Sequence, residues 1–238
     1  MKRWHVGLAL TLLWTPFLLR ADLVVVQKVE ESGPGKQSQE ITLKAKGDKI
    51  RVDLSPEISV LMDTATGETI TLRHTQKTYL QVSAEASLQL AKKMGQMRDT
   101  RAIGGIEEEP AKLEATGKRE TVAGQETKIY TAQNGAIKMT YWVAQNSPDA
   151  EKFLSLLAVL QKAPMVKLAG GLTFSPADFK FPGLPVKTEM GTPDGRKITT
   201  TILSIKEQPL EEIDFTVPPG YRSLPKPLFG PNTPLNNP

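Results

Sequence analysis

No cysteine occurs anywhere in the 238-residue chain. Disulfides, thiolate metal sites, cysteine nucleophiles and a lipid-modified cysteine are thereby excluded. Histidine is almost as scarce, with two in the whole chain. Zinc centres draw on several Cys or His ligands, so no metal site of that kind is expected. Neither a P-loop nor the glycine fingerprint of dinucleotide folds is present, and no cofactor is expected. Aromatic residues make up 6% of the chain and are scattered. They form no basic–aromatic strip, so no nucleic-acid partner is expected. No apolar run reaches the roughly 20 residues that span a bilayer.

The apolar run that does occur sits at the N-terminus. Lys2 and Arg3 precede Val6–Leu19, which is almost wholly apolar, and Arg20-Ala21 precedes Asp22. A basic start, a short apolar core and a small residue at the cut are the three parts of a secretory signal. Residues 1–21 are therefore read as a signal peptide, and the mature protein as periplasmic or secreted, with no membrane span after cleavage. Losing Lys2, Arg3 and Arg20 from the 30 Lys and Arg leaves 27 against 26 Asp and Glu. The mature chain is close to neutral, so the basic balance of the full sequence gives no reason to expect a nucleic-acid partner. His74 is then the single histidine of the mature chain.

From Asp22 onward the pattern is short strands and tight turns. Residues 22–30 form a valine-rich strand. Ile41, Leu43 and Ala45 alternate with polar residues, as do Ile50, Val52 and Leu54, then Ile58, Val60 and Met62. Ile70 with Leu72, and Thr78–Val82, complete an antiparallel meander. Ser83 caps a helix expected over 84–97. Strands return at 112–117 and 120–122, at 127–132, and at 137–143, with Asn134-Gly135 as a hairpin signal. Ser147-Pro148-Asp149 opens a second helix, expected over 148–162 and covered on most sides, because seven of the eight residues Phe153–Leu160 are apolar. Strands near 187–190 and 198–205 flank Asp194-Gly195. The folded part is expected to end at Tyr221, with 222–238 a flexible Pro-rich tail. The count of turn signals predicts nine to eleven strands in one continuous sheet.

Catalytic templates find little support. His74 could serve as a base, but no G-x-S-x-G elbow accompanies it. Glu107-Glu108-Glu109 reads as a solvated connector, since consecutive acids rarely converge on one ion. The stretch Asp63-Thr64-Ala65-Thr66-Gly67 reads as a turn. Glu211, Glu212 and Asp214 are a carboxylate group of the kind that chance produces. No catalytic residue and no metal ligand is assigned. What remains is apolar surface. A curved antiparallel sheet encloses a space, which the apolar helix either fills as core or leaves as a pocket for a hydrophobic ligand.

The order of elements adds a resemblance. It is carried by Lys46-Gly47-Asp48-Lys49-Ile50-Arg51-Val52-Asp53, by Val60-Leu61-Met62-Asp63, and by Thr78-Tyr79. Gly117 through Tyr130, Tyr141-Trp142-Val143 and the closing Val217–Tyr221 extend it. The chain resembles an uncharacterised family of exported bacterial domains of unknown function, itself similar to the LolA/LolB-like lipoprotein carriers. That resemblance implies an α+β fold: a half-open barrel of curved antiparallel sheet, with two helices across the concave face. It would form a single domain over 22–221. It implies a non-enzymatic protein that binds or carries a lipid or acylated ligand in the cell envelope. The expected apolar lining is Val60, Met62, Ile70, Leu72, Met139 and Tyr141 from strands, with Phe153, Leu157 and Leu160 from a helical lid. An alternative is an envelope module that binds a protein partner through a strand edge or the tail. A weaker third is a hydrolase using His74 or carboxylates.

Overall fold

The computed structural model describes residues 22–33, 37–89, 112–134, 137–160, 181–191 and 195–225. The first meander comprises β1 (Leu23–Glu31), β2 (Gln37–Lys46), β3 (Lys49–Ser55), β4 (Ile58–Asp63), β5 (Thr69–Arg73) and β6 (Thr78–Val82). Helix α1 follows, described over 84–89. The second meander holds β7 (Glu114–Val122), β8 (Gln125–Asn134) and β9 (Ile137–Ala144), then helix α2 (Ala150–Leu160). It finishes with β10 (Leu184–Gly191) and β11 (Lys197–Glu207). A 3-10 turn, Glu212–Phe215, and a two-residue strand β12 (Arg222–Ser223) close the described chain.

These strands form one sheet in the order β12-β6-β5-β4-β3-β2-β1-β11-β10-β9-β8-β7. The sheet is curved and unclosed, an α+β half-open barrel as the resemblance implies. The two meanders meet at β1 and β11, which pair antiparallel from Leu23 opposite Glu207 to Glu31 opposite Ile198.

Alternation and turn chemistry explain the local structure. The β7–β8 hairpin turns on Ala123 (φ 48°) and Gly124 (φ 77°), both left-handed, as a type I′ turn requires. Four pairings carry irregular register, including β3 with β4, where Leu54 is an extra residue between Asp53 and Ser55. On β11, Leu203 is an extra residue between Ile202, opposite Gln27, and Ser204, opposite Val26. This bulge lets Ile202 and Ile205 share a side despite their odd spacing, and leaves Leu203 45% exposed. On β10, Val186 is the extra residue beside Pro185, which has no N–H to give to a ladder. Edge strand β7 slips between Ala115 and Arg119. Its exposed, charge-studded length makes a poor template for further pairing.

The main core lies at one end of the sheet. Leu23, Ala45, Ile50 and Met62 stand directly opposite one another in a row across β1 to β4. Ala144 ends β9 opposite Leu184, which begins β10. Phe153, Leu156 and Leu160 of α2 complete the same cluster. A second cluster gathers Ala132, Met139, Tyr141, Val143 and Phe181.

Three expectations are corrected. The described sheet has twelve strands rather than nine to eleven. Helix α2 is fully buried only at Phe153, Leu156 and Leu160, while Leu154, Leu157 and Val159 remain partly exposed, because the sheet end covers one flank. The fold also continues past Tyr221. Arg222 and Ser223 pair in parallel with Thr78 and Tyr79. Their anchors are N–H groups of Arg222 and Leu224 donating to the carbonyls of Lys77 (2.9 Å) and Tyr79 (2.7 Å). The rest of the expected tail, 226–238, lies outside the described residues, as do residues 1–21, 90–97 and 161–162.

Gly183 marks the tightest backbone approach. A Cβ there would sit 2.2 Å from the Ala144 carbonyl oxygen and 2.7 Å from the Gln145 Cα. At Gly191 the nearest atom would be 3.6 Å away, an ordinary contact. Gly183→Ala is expected to cost about 1–3 kcal/mol of folding free energy, by the usual scale of overpacking. Gly191→Ala should cost much less. Urea unfolding of the two variants checks this pair.

Candidate functional site

Among the described residues, open space lies beside chemistry under α2 and again around His74. The first lies where α2 crosses the strand ends. A cavity of about 320 Å³ is lined by Leu23, Ala45 and Gly47 of the sheet and by Ser155, Leu156 and Val159 of the helix. Glu151, Lys152 and Glu207 form its rim. The alternation of β1 and β2 points Leu23 and Ala45 toward α2. Lys152 spans the rim, its Nζ donating to Glu207 at 2.9 Å and lying 3.8 Å from Asp149. The hydrogen bond to Glu207 holds the Lys152 pKa above the ordinary lysine value. This space has an apolar floor and a charged mouth.

The expected lining residues are not all brought together. Val60, Met62, Phe153, Leu157 and Leu160 belong to the helix cluster. None of them lines the cavity itself. Met139 and Tyr141 stand in the second cluster, where the Tyr141 ring meets Phe181 edge-on at 4.9 Å between centroids. Ile70 and Leu72 are opposite Leu61 and Ser59. That register puts them on the other side of the sheet from Val60 and Met62. Leu23, Ala45, Leu156 and Val159 were missed as a group. Each carries an apolar signal, but only the β1–β2 register and the return of α2 juxtapose them.

The second place is polar and centres on His74. Its Nε2 lies 2.7 Å from the Ser59 Oγ, and its Nδ1 lies 2.7 Å from the Tyr221 hydroxyl. Ser59 Oγ donates to Asp53 Oδ1 at 2.5 Å, and Arg51 Nε donates to the same oxygen at 2.7 Å. Glu40, Thr42, Ser55 and Pro56 border a space of about 310 Å³ beside these groups. Ser59 is 1% exposed.

Hydrogen counting fixes what this cluster can do. The Ser59 hydroxyl has one proton, and two close partners compete for it. A carboxylate can only accept, so the proton lies toward Asp53. With that proton spent, His74 Nε2 donates to Ser59, and Nδ1 faces the Tyr221 hydroxyl. With its proton committed to Asp53 and His74 acting as donor, Ser59 is not set up as a nucleophile with His74 as its base. Among the described residues, no group of three or more His, Cys, Asp or Glu is placed to hold a metal ion.

The cluster continues into the segment after β11. Lys44 Nζ donates to Asp214 Oδ1 at 2.8 Å, and Lys49 pairs with Glu212 at 2.5 Å. Arg51 Nη1 donates to the Asp214 carbonyl at 3.0 Å. The Lys44 hydrogen bond holds Asp214, and the Lys49 hydrogen bond holds Glu212, below the ordinary carboxylate range.

Among known families, the profile described as Domain of unknown function (DUF4412) matches residues 26–221. The chain belongs to the DUF4412 family. That agrees with the kind of family the sequence resembles. No curated protein matches this DUF4412 chain. It is similar to the structure of PNGF-II in the C2 space group, at 12% identity and TM-score 0.36. That match covers 85% of this chain and 30% of PNGF-II, so the domain spans under a third of the other protein. It is also similar to the LolA superfamily protein NE2245 from Nitrosomonas europaea, at 10% identity and TM-score 0.33, covering 82% and 90% of the two chains. A putative outer membrane lipoprotein-sorting protein domain from Vibrio parahaemolyticus matches at 11% identity and TM-score 0.27, covering 82% and 89%. No helix among the described residues of the DUF4412 chain is long and apolar enough to cross a membrane.

Two predictions come from the polar cluster. Ser59→Ala removes the acceptor for His74 and the donor to Asp53, and is expected to cost about 1–3 kcal/mol in denaturant unfolding. The second concerns pH. Asp214 and Glu212 have folded pKa values below their ordinary ones, so they add stability above the ordinary carboxylate range, about 4. That contribution is lost as pH falls through the depressed values. Thermal unfolding across pH should show a steeper acid fall for the parent chain than for Asp214→Asn.

Proposed function

We propose that this DUF4412 protein is an exported, non-enzymatic binding protein that takes an acyl-type apolar ligand between α2 and the strand ends. The observation that carries this reading is the cavity of about 320 Å³ with Leu23, Ala45, Leu156 and Val159 along it. Its size falls at the lower end of small-molecule sites, about 300–1,000 Å³. The signal-like residues 1–21 support export to the periplasm or beyond.

Magnitudes limit what kind of ligand fits. Burying an acyl chain returns about 0.8 kcal/mol per methylene, so ten methylenes return about 8 kcal/mol gross. Association costs about 4–15 kcal/mol. A short chain alone would bind weakly. A useful ligand must add a longer chain or a polar head that meets Lys152 and Glu207 at the mouth. A longer chain would require α2 to shift outward. The partly exposed Leu154, Leu157 and Val159 would let it do so without wholesale loss of core.

Native mass spectrometry of residues 22–238, purified after export and followed by organic extraction, tests the reading. A reproducible adduct of lipid mass is expected. Ser155→Trp places a large ring in the cavity from an exposed helix position. It should lower uptake of added lysophospholipid at least tenfold while leaving thermal stability near the parent value. A parent chain that shows neither an adduct nor uptake would sink the proposal.

A further inference from the structure

The segment from Leu210 to Leu224 is fastened to the sheet in an unusual way. Among its described residues, one side chain, Leu210, is fully buried, and Ile213 is 64% exposed. Phe215, Val217, Pro218 and Tyr221 are half-buried, and the remaining fasteners are polar. Leu210 N–H donates to Asp22 Oδ2 at 2.8 Å, and Lys46 Nζ donates to the Leu210 carbonyl at 2.5 Å. Lys49 holds Glu212, and Lys44 and Arg51 hold Asp214. The Tyr221 hydroxyl meets His74, and β12 lies along β6.

Register shows that these fasteners form one surface. Lys44 is opposite Arg51, and Lys46 is opposite Lys49. Lys44, Lys46, Lys49 and Arg51 therefore project from the same side of β2 and β3. Asp53, Ser59 and His74 continue that polar surface across β3 to β5. Val24, Leu61 and Leu72 project from this side too and are buried. The opposite side carries the helix cluster.

We propose that residues 210–224 are a releasable strap, locked by charge onto β2–β3 and by Tyr221 onto His74, which caps the edge of β6. The strap opens as a unit while the rest of the sheet stays folded. Segments with few buried apolar contacts open at lower free energy than the core. The Lys49–Glu212 pair is exposed and the Lys44–Asp214 pair half-buried; such pairs are individually weak, and salt screens the exposed one most. With the strap off, the Lys77 and Tyr79 carbonyls lose their donors, and the edge of β6 at Thr78–Tyr79 is uncovered. This device stands on a different part of the fold from the cavity under α2, and neither depends on the other.

Native-state hydrogen exchange of residues 22–238 tests it. In the closed state, the amides of Arg222 and Leu224 are bonded to Lys77 and Tyr79. They should exchange well before the amides of the β1–β11 ladder. Raising salt, or the double substitution Lys44→Gln with Lys49→Gln, should speed them about tenfold and leave β1–β11 unchanged. The chain has no cysteine, so Thr78→Cys with Arg222→Cys can introduce a single disulfide between paired neighbours. Oxidation of that pair should abolish the salt effect, and reduction should restore it. Strap and ladder amides that exchange at one common rate, with or without salt, would overturn the proposal.

Discussion

The antiparallel pairing of β1 with β11 is the contact on which the remaining architecture depends. It joins the first described strand to the last long one and turns two local meanders into one sheet. Each meander can form from near neighbours, whereas this junction closes almost the whole folded chain and must beat the entropy of doing so. Its reward is the row Leu23–Ala45–Ile50–Met62, laid out as a continuous apolar strip only once β1 has a place in the sheet. Helix α2 belongs to the second meander and packs on its β10, yet the strip that completes its cluster belongs to the first. The cavity under α2 is thus a product of the junction, built from residues that have no local reason to meet.

Much of the fold is legible in the sequence because alternation and turn chemistry are local. Thr78–Val82 and Ile58–Met62 show their period directly, and Gly124 marks its hairpin by residue type, although Ala123 beside it takes a φ of 48° that alanine disfavours. The placing of sides is a different matter. Alternation says that Ile70 and Leu72 share a side, and that Val60 and Met62 share one. It does not say that these sides differ, because a register slip of one residue would exchange them. Likewise, the bulge at Leu203 reverses the parity of β11 midway, and no period shows it. Met139 and Tyr141 have the same apolar alternation as Ile50 and Val52 but fall in the other cluster. The nine expected lining residues were drawn from strand and helix periods, so they divide among three environments once register is fixed.

The polar cluster was legible in pieces. His74 stands out as the single histidine after residue 21, and Val217–Tyr221 as a motif closing the domain. Neither points to the other, because Tyr221 meets His74 only after the chain has crossed from β11 to the far side of β3–β5. The strand alternation Arg51-Val52-Asp53 places two charges on one side, but their partner Ser59 lies beyond a turn. One clue was available: a Tyr at the end of a Pro-Pro-Gly turn is costly to order unless its hydroxyl has a fixed acceptor. The same constraint explains why the fold outlasts Tyr221. Once its ring is pinned, Arg222 is already beside the β6 backbone, and two further residues can pair at little additional entropic cost.

The two sides of the first meander rest on opposed physics. The helix side is held by apolar burial, which strengthens when salting-out ions are excluded from the protein surface. The strap side also buries Val24, Leu61 and Leu72, but the strap's own fasteners include lysines and carboxylates, which salt screens. A change in ionic conditions therefore loosens one side while it tightens the other, and the rigid sheet between them passes little of either change across. In the proposed readings, ligand entry under α2 and exposure of the β6 edge are then governed separately: an apolar ligand stays seated while the edge of the sheet responds to charge.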